Sequence, residues 1–232
     1  VTNIYEQGVK RCYVFHFDDG TTSTVMPEHR FLVGKPGCEE YTVMTAKEIL
    51  NHYKLGGQGM YALREGETDF YEIPLPPPVN FENGITMEKL PIHPHVLGMA
   101  SAYGYYEFSK YGLRIERYDR SIYKHMYAMG LFFKIVGKYG YATGIPDAAR
   151  KTITSRRTRI PAFIPDEYMY ADVESRISFV QGVFYMNAHS VRSKQCGSIL
   201  YIKLPNKKYI NQLAQMCRSL GWWANVIEER DE

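Results

Sequence analysis

The chain of 232 residues is long enough for one large domain or two small ones, and its 45% hydrophobic and 23% charged residues are ordinary for a globular protein. No apolar run is long enough to cross a membrane; the nearest, Tyr127 to Tyr141, is interrupted by Lys134 and Lys138. The N-terminus carries no basic and then apolar signal region. The four cysteines are far apart and form no CxxC pair, so we expect reduced thiols in an intracellular protein, with neither a zinc site nor a disulfide framework.

The formal net charge of +3 hides an asymmetry along the chain. Residues 1–90 carry 8 Lys and Arg against 13 Asp and Glu, whereas residues 91–232 carry 20 against 12. The excess is greatest within 110–218, where 19 basic residues stand against 7 acidic ones. An acidic front and a basic back indicate two modules, the second suited to a polyanion. A scattered, solvated basic surface is the alternative reading of the charge.

The front of the chain carries three predicted strands and a short helix. The strands are the runs rich in aromatic and β-branched residues, at 11–17, 21–25 and 29–33. Asp19-Gly20 between the first two predicts a hairpin with a two-residue type I′ turn, which accounts for the acidic pair Asp18–Asp19 without a catalytic role. Thr45 is the expected N-cap of a helix over 45–50.

Prolines mark the predicted boundary between the modules. The stretch Ile73 to Val79 contains four prolines, which lack the backbone donor that a sheet needs, so it predicts a stiff linker. We place a front domain at 1–75, a linker at 76–90 and a back domain at 91–232, since the charge also changes sign near the linker.

The back domain contains two units in which a helix rich in small residues precedes a strand. The helices are predicted at 96–102 and 175–188, and the strands at 113–118 and 198–203. Asn206 is the expected cap of a last helix, 209–220, which Gly221 ends. The units lie about 84 positions apart, which indicates an internal repeat with halves at about 91–168 and 169–232. The glycines from Gly137 to Gly144 lack Walker spacing and predict a loop.

The front residues resemble the second half of the N-terminal Hint splicing region of inteins. The likeness is carried by a strand that ends in Asp19-Gly20 and by the stretch Glu28-His-Arg-Phe-Leu32. It implies a partial Hint remnant with a small all-β fold. The family's N-terminal Cys or Ser and its C-terminal His-Asn pair have no counterpart in this sequence, so the resemblance does not imply self-splicing.

From Leu90 onward the sequence resembles the LAGLIDADG homing endonuclease that inteins of phages and other mobile elements carry. Leu90–Gly104, LPIHPHVLGMASAYG, is similar to the family's LPIDPYLLGLLLGDG, and Arg176–Ala188 is similar to R-x-x-FLRGLFDADG. Arg159-Ile-Pro161 is similar to the K-x-IP that precedes the second motif. The resemblance implies an α/β (α+β) monomer of two αββαββα halves, related by a pseudo-two-fold axis. It also implies saddle-shaped antiparallel sheets that bind double-stranded DNA, and a place in the cytoplasm or nucleoid.

The sequence departs from the family at both catalytic positions. Tyr103 and Asn187 stand where the resemblance places the two metal-binding aspartates. Mg²⁺ prefers hard anionic oxygen, and two-metal phosphodiester cleavage needs such ligands. We therefore expect no metal site and no cofactor in a degenerate enzyme, and Mg²⁺ as the cofactor if cleavage is retained.

The resemblance also assigns basic residues to the sheets that face DNA, where arginine and lysine contact phosphates and guanine edges. The candidates are Arg114, Arg117, Arg156, Arg157, Arg159, Arg192, Lys194 and Lys203.

Three hypotheses of function follow, none involving a membrane. In the first, the chain is a degenerate endonuclease that binds duplex DNA with little or no cleavage. In the second it is an active or nicking enzyme in which Glu107, Asp172 or another carboxylate binds the metal. In the third it is a non-enzymatic structural or protein-interaction insert within a larger host protein.

Overall fold

The computed structural model describes residues 8–35, 39–54, 71–115, 120–128, 132–145, 159–193 and 197–228. Within these ranges the chain is mixed α/β, with six α-helices and eleven strands in four small antiparallel sheets, which confirms the predicted class. It divides into two compact units, Val1–Pro76 and Pro77–Glu232. None of the helices in the described part of the chain is long and apolar enough to span a bilayer.

The first unit consists of two β-hairpins and a helix. Its elements are β1 (Tyr13–His16), β2 (Thr22–Val25), β3 (Arg30–Gly34), β4 (Tyr41–Thr45) and α1 (Ala46–Lys54), with β1 paired to β2 and β3 to β4. Three of these strands were predicted, whereas β4 was not. Thr45 is confirmed as the cap of α1: its Oγ1 accepts from Glu48 N at 3.2 Å, and the Glu48 carboxylate accepts from Thr45 N at 2.7 Å. These hydrogen bonds to Thr45 lower the pKa of Glu48.

The β1–β2 turn differs from the predicted type I′. Gly20 N donates to Phe17 O at 2.9 Å, which makes Asp18 and Asp19 the central residues, and Gly20 follows them with a φ of 77°. This is a three-residue loop with a glycine bulge. Asp19 Oδ1 accepts from the Thr21 backbone N at 2.9 Å and from its hydroxyl at 2.6 Å, so this carboxylate serves the turn.

The second unit is larger and contains the remaining elements. They are α2 (Pro94–Ser101), β5 (Tyr105–Ser109), β6 (Gly112–Ile115), α3 (Arg120–Ala128), β7 (Phe133–Val136), β8 (Tyr139–Ala142), β9 (Arg159–Pro161), α4 (Asp166–Met169), α5 (Val173–Asn187), β10 (His189–Ser193), β11 (Gly197–Tyr201) and α6 (Lys207–Ser219). A five-stranded antiparallel sheet has the order β7-β8-β6-β5-β9, and β10 and β11 form a separate hairpin. The stretch predicted as a loop, Gly137 to Gly144, is instead the turn and second strand of the β7–β8 hairpin.

The residues of both predicted halves include a helix, two strands and a helix in that order. In the first half, α2, β5, β6 and α3 are followed by the second strand pair β7–β8. In the second half, α5, β10, β11 and α6 are the elements that the described residues after Ala171 contain, one strand pair where two were expected. The core surrounds α2, whose eight residues are all buried, and includes Tyr106, Phe108 and Leu113 from β5 and β6.

The residues predicted as a linker are bonded to the second unit from Val79 onward. Val79 N donates to Ser219 O at 2.8 Å, and Asp172 N donates to Ile85 O at 3.2 Å. The fully buried Arg176 donates to Val79 O, to Ala171 O at 3.0 Å and to Ser219 Oγ at 2.6 Å. Burial lowers the pKa of Arg176, and the nearby Asp172 opposes that effect. One guanidinium therefore ties this segment to α5 and α6.

Candidate functional site

The two helices of the predicted motifs, α2 and α5, pack against each other through glycines. A Cβ atom on Gly98 of α2 would lie 2.2 Å from Phe179 O on α5. A Cβ atom on Gly182 of α5 would lie 2.1 Å from His95 O on α2. Because no side chain fits at such distances, the backbones approach as closely as glycine allows. The central contact of the second unit is thus backbone against backbone.

Each of these contacts has a counterpart in which both residues are replaced by those 84 positions away along the chain. A Cβ atom on Gly98 would also lie 3.0 Å from Val183 N, and one on Gly182 would lie 3.0 Å from Met99 N. Gly182 lies 84 positions after Gly98, and Val183 lies 84 after Met99. The same shift relates the two carbonyl contacts, so the helices contribute equivalent residues to their junction.

Tyr103 and Asn187, the predicted catalytic positions, meet at one end of this helix pair. Asn187 Nδ2 donates to Ala102 O at 3.1 Å and to Lys203 O at 3.3 Å, and Tyr103 OH donates to Met186 O at 3.5 Å. Each residue therefore reaches the carbonyl that precedes the other one. Both side chains are neutral donors here, and neither offers the anionic oxygen that Mg²⁺ requires.

The two named carboxylates that were candidates to replace the aspartates serve other contacts. Glu107 Oε1 on β5 forms an ion pair of 2.6 Å with Arg114 Nη1 on β6. Asp172 caps α5, where it accepts from Ser175 N at 2.7 Å. Since α5 has 15 residues, its cap lies about 22 Å from the end that holds Asn187. Among the described residues, no group of three or more His, Cys, Asp or Glu is arranged to hold a metal ion.

A basic and aromatic surface lies on the face of the five-stranded sheet opposite the buried side chains of β5 and β6. Arg114, Tyr141 and Lys134 are neighbours in register across β6, β8 and β7, and cross-strand neighbours share a face. The Arg114 guanidinium stacks on Tyr139 at 3.6 Å from the ring centroid, and Lys138 Nζ lies 5.3 Å from it. We call this set, Arg114, Lys134, Lys138, Tyr139 and Tyr141, the open face.

The described residues among the predicted DNA-binding set lie on or just after different strands. Arg114 lies on the open face, Arg192 is exposed on β10, and Lys203 is exposed after β11. Arg159 begins β9, where its backbone pairs with Glu107. The remaining candidates lie outside the described residues: Arg117, Arg156, Arg157 and Lys194.

Sequence reasoning missed most of the open face because the glycines around Tyr139 resembled a loop. Gly140 lies under the ring of Phe133, whose Cζ would be 2.0 Å from an added Cβ, so this glycine admits an aromatic side chain from the neighbouring strand. The alternation of Tyr139 and Tyr141 has the period of a strand and was the signal available.

No protein-family model matches this chain, and no curated protein matches it in sequence.

Proposed function

We propose that the second unit is a monomeric LAGLIDADG-type domain that binds double-stranded DNA and has lost metal-dependent cleavage, and that the first unit is a partial Hint region. The observation that carries this proposal is the helix pair. Gly98 and Gly182 meet the opposite backbone with reciprocal contacts, and the resemblance places both motifs in these two helices. A pseudo-two-fold relation between the halves explains why one shift in sequence relates the contacts of these two glycines.

The chemistry at the end of the pair supports binding without cleavage. Tyr103 and Asn187 occupy the aspartate positions and donate to backbone carbonyls. A phenol and an amide leave a divalent cation without the negative charge that stabilises it beside a phosphodiester. Glu107 is neutralised by Arg114, and Asp172 caps the far end of α5, which argues against an active or nicking enzyme that uses either carboxylate.

The open face supports a polyanionic ligand. Its exposed cations are Lys134 and Lys138, whereas the charge of Arg114 is offset by Glu107. Lysine and arginine that replace condensed counterions supply most of the affinity of proteins for duplex DNA. The half-buried Tyr139 lies between Arg114 and Lys138 and suits contact with a sugar or a phosphate.

A binding titration of the full chain tests this proposal. The intact chain should bind a mixed-sequence DNA duplex with an affinity that falls steeply as salt rises, and should leave the DNA uncut in Mg²⁺ or Mn²⁺. Lys134→Glu with Lys138→Glu should weaken binding and lower the log–log salt slope by roughly 0.9 for each phosphate that is no longer neutralised. Lys47→Glu, at an exposed lysine of α1 in the first unit, is the matched control. Absent binding, or equal effects of both changes, contradicts the proposal, and DNA cleavage contradicts its catalytic part.

One observation favours the second candidate, a non-enzymatic interaction insert in a larger host protein. Val191 and Ile199 are cross-strand partners on one face of the β10–β11 hairpin, and they are exposed by 51% and 37%. Exposed apolar side chains on a two-stranded hairpin are typical of a surface that another protein covers. If the chain binds no DNA, and Val191→Ser removes association with the host protein, this candidate replaces the first.

A further inference from the structure

A cleft of about 380 Å³ opens beside the β5–β6 turn. Its lining includes Lys110, Tyr111 and Gly112 from the turn, Lys134 from β7 and Gly144 after β8. This volume is near the lower end of the range for small-ligand pockets, about 300–1,000 Å³, and suits one nucleotide unit rather than a larger ligand. A Cβ on Gly112 would lie 2.1 Å from Ala142 O, so this wall of the cleft is bare backbone.

The ring of Tyr111 packs against another tyrosine ring and has two lysine ammonium groups close to it. Its centroid lies 5.6 Å from that of Tyr141, whose side chain is buried, with an angle of 58° between the rings. Lys110 Nζ lies 5.1 Å and Lys134 Nζ lies 5.0 Å from the same centroid. A buried ring thus supports a half-exposed one, and two cations surround it.

The neighbouring Tyr139 does not offer the same opportunity. Arg114 stacks on its ring at 3.6 Å, and the ion pair with Glu107 at 2.6 Å holds that guanidinium there. The cations at Tyr111 are exposed lysines on flexible stems. A base stacked on an aromatic ring contributes more than an exposed lysine over the same ring, so a flat ligand can take the place of one ammonium group.

We infer that Tyr111 is a stacking platform for one unpaired nucleobase of the bound DNA, with Lys110 and Lys134 on the phosphates that flank it. This inference rests on the proposed function and names the feature of DNA that the cleft selects. Stacking tolerates any base, because each has a π-face, so the site selects an unstacked nucleotide rather than a sequence. A displaced lysine remains close enough to reach the phosphate of the same nucleotide.

The test compares two duplexes of the same sequence, one of which has a single bulged 2-aminopurine. The intact chain should bind the bulged duplex about tenfold more tightly, and the fluorescence of 2-aminopurine should fall on binding as the base stacks. Tyr111→Leu should remove the tenfold gain and keep affinity for the paired duplex, whereas Tyr111→Phe should retain the gain. Tyr127→Leu, at an exposed tyrosine of α3 outside the open face, is the matched control and should retain it too.

The outcomes separate this inference from the function on which it rests. Equal affinity for the two duplexes, unchanged fluorescence, or a gain that survives Tyr111→Leu overturns the base site while duplex binding stands. Absent binding to either duplex overturns both. Binding of the bulged duplex alone, dependent on Tyr111, supports the base site and overturns general duplex binding. Circular dichroism and thermal melting show whether Tyr111→Leu folds. If it does not, the change in 2-aminopurine fluorescence with the intact chain decides whether the base stacks on the protein.

Discussion

Gly98→Ala places a methyl group where the structure leaves room for none. The added Cβ would lie 2.2 Å from Phe179 O and 3.0 Å from Val183 N, both backbone atoms of α5 that no rotamer change moves away. In an open helix the same substitution stabilises by about 1 kcal/mol. Overpacking of a core destabilises by about 1–3 kcal/mol, and a clash with rigid backbone belongs at or above the upper end. We therefore expect a net loss of about 2 kcal/mol.

Urea unfolding of the full chain, followed by far-ultraviolet circular dichroism, measures this loss. For a unit of this size the melting temperature should fall by about 4–8 °C. Gly137→Ala is the control: its Cβ meets nothing within 4 Å, but its φ of +61° strains any other residue, so about 1 kcal/mol is expected from backbone strain alone. Gly182→Ala should act like Gly98→Ala, and the double variant should lose less than the sum, because one displaced helix relieves both clashes. A neutral or stabilising Gly98→Ala, or additive losses, would refute backbone contact between α2 and α5.

Three further predictions follow from the second unit. Arg176→Met should lower the free energy of unfolding by about 3 kcal/mol in urea titrations, because it leaves Val79 O and the carbonyl of the buried Ala171 without their guanidinium donor; a loss no larger than that of an exposed arginine would contradict a stabilising role for these hydrogen bonds. A chain that starts at Pro77 should unfold cooperatively, whereas one that starts at Leu90 should melt at a lower temperature because it lacks the segment bonded to α5 and α6; equal melting temperatures would show that the segment adds no stability. Tyr103→Asp combined with Asn187→Asp should raise Mn²⁺ affinity in calorimetric titrations, since it places two carboxylates at one end of the helix pair; unchanged affinity would mean that the motif positions are misassigned.

Elements with local signals could be predicted from the sequence. Asn206 caps α6 by accepting from Tyr209 N at 3.2 Å, and Gly221 ends that helix with a φ of 75°. Both signals act within one helical turn, so the residues themselves carry them. The pairing of Tyr103 with Asn187 was likewise predictable, because the resemblance aligned both motifs on one repeat.

Features that depend on distant partners were not predictable. Gly140 pairs with Ile115 and Ile135 on the two neighbouring strands and lies under Phe133, and β9 is a strand of three residues that pairs with β5. Arg176 lies inside a predicted helix, but no neighbouring residue indicates that its guanidinium forms a hydrogen bond to Val79 O, 97 positions earlier. The platform at Tyr111 depends on Lys134 and on Tyr141 across the sheet. In each case the deciding contact crosses between strands or between ends of the unit, where periodicity gives no information.

The hydrogen bonds of the buried Arg176 have a consequence for the order in which the second unit folds during synthesis. Its guanidinium donates to the carbonyl of Val79, 97 positions upstream, and to that of Ser219, 43 positions downstream. While α6 is still inside the exit tunnel, the nascent chain holds the charge of Arg176 but lacks Ser219, so burial of α5 leaves a cation short of partners. We therefore expect α5 to remain incompletely packed on a ribosome-bound chain until α6 has been synthesised. Docking of α6 should then supply Ser219 and complete the contacts of the guanidinium.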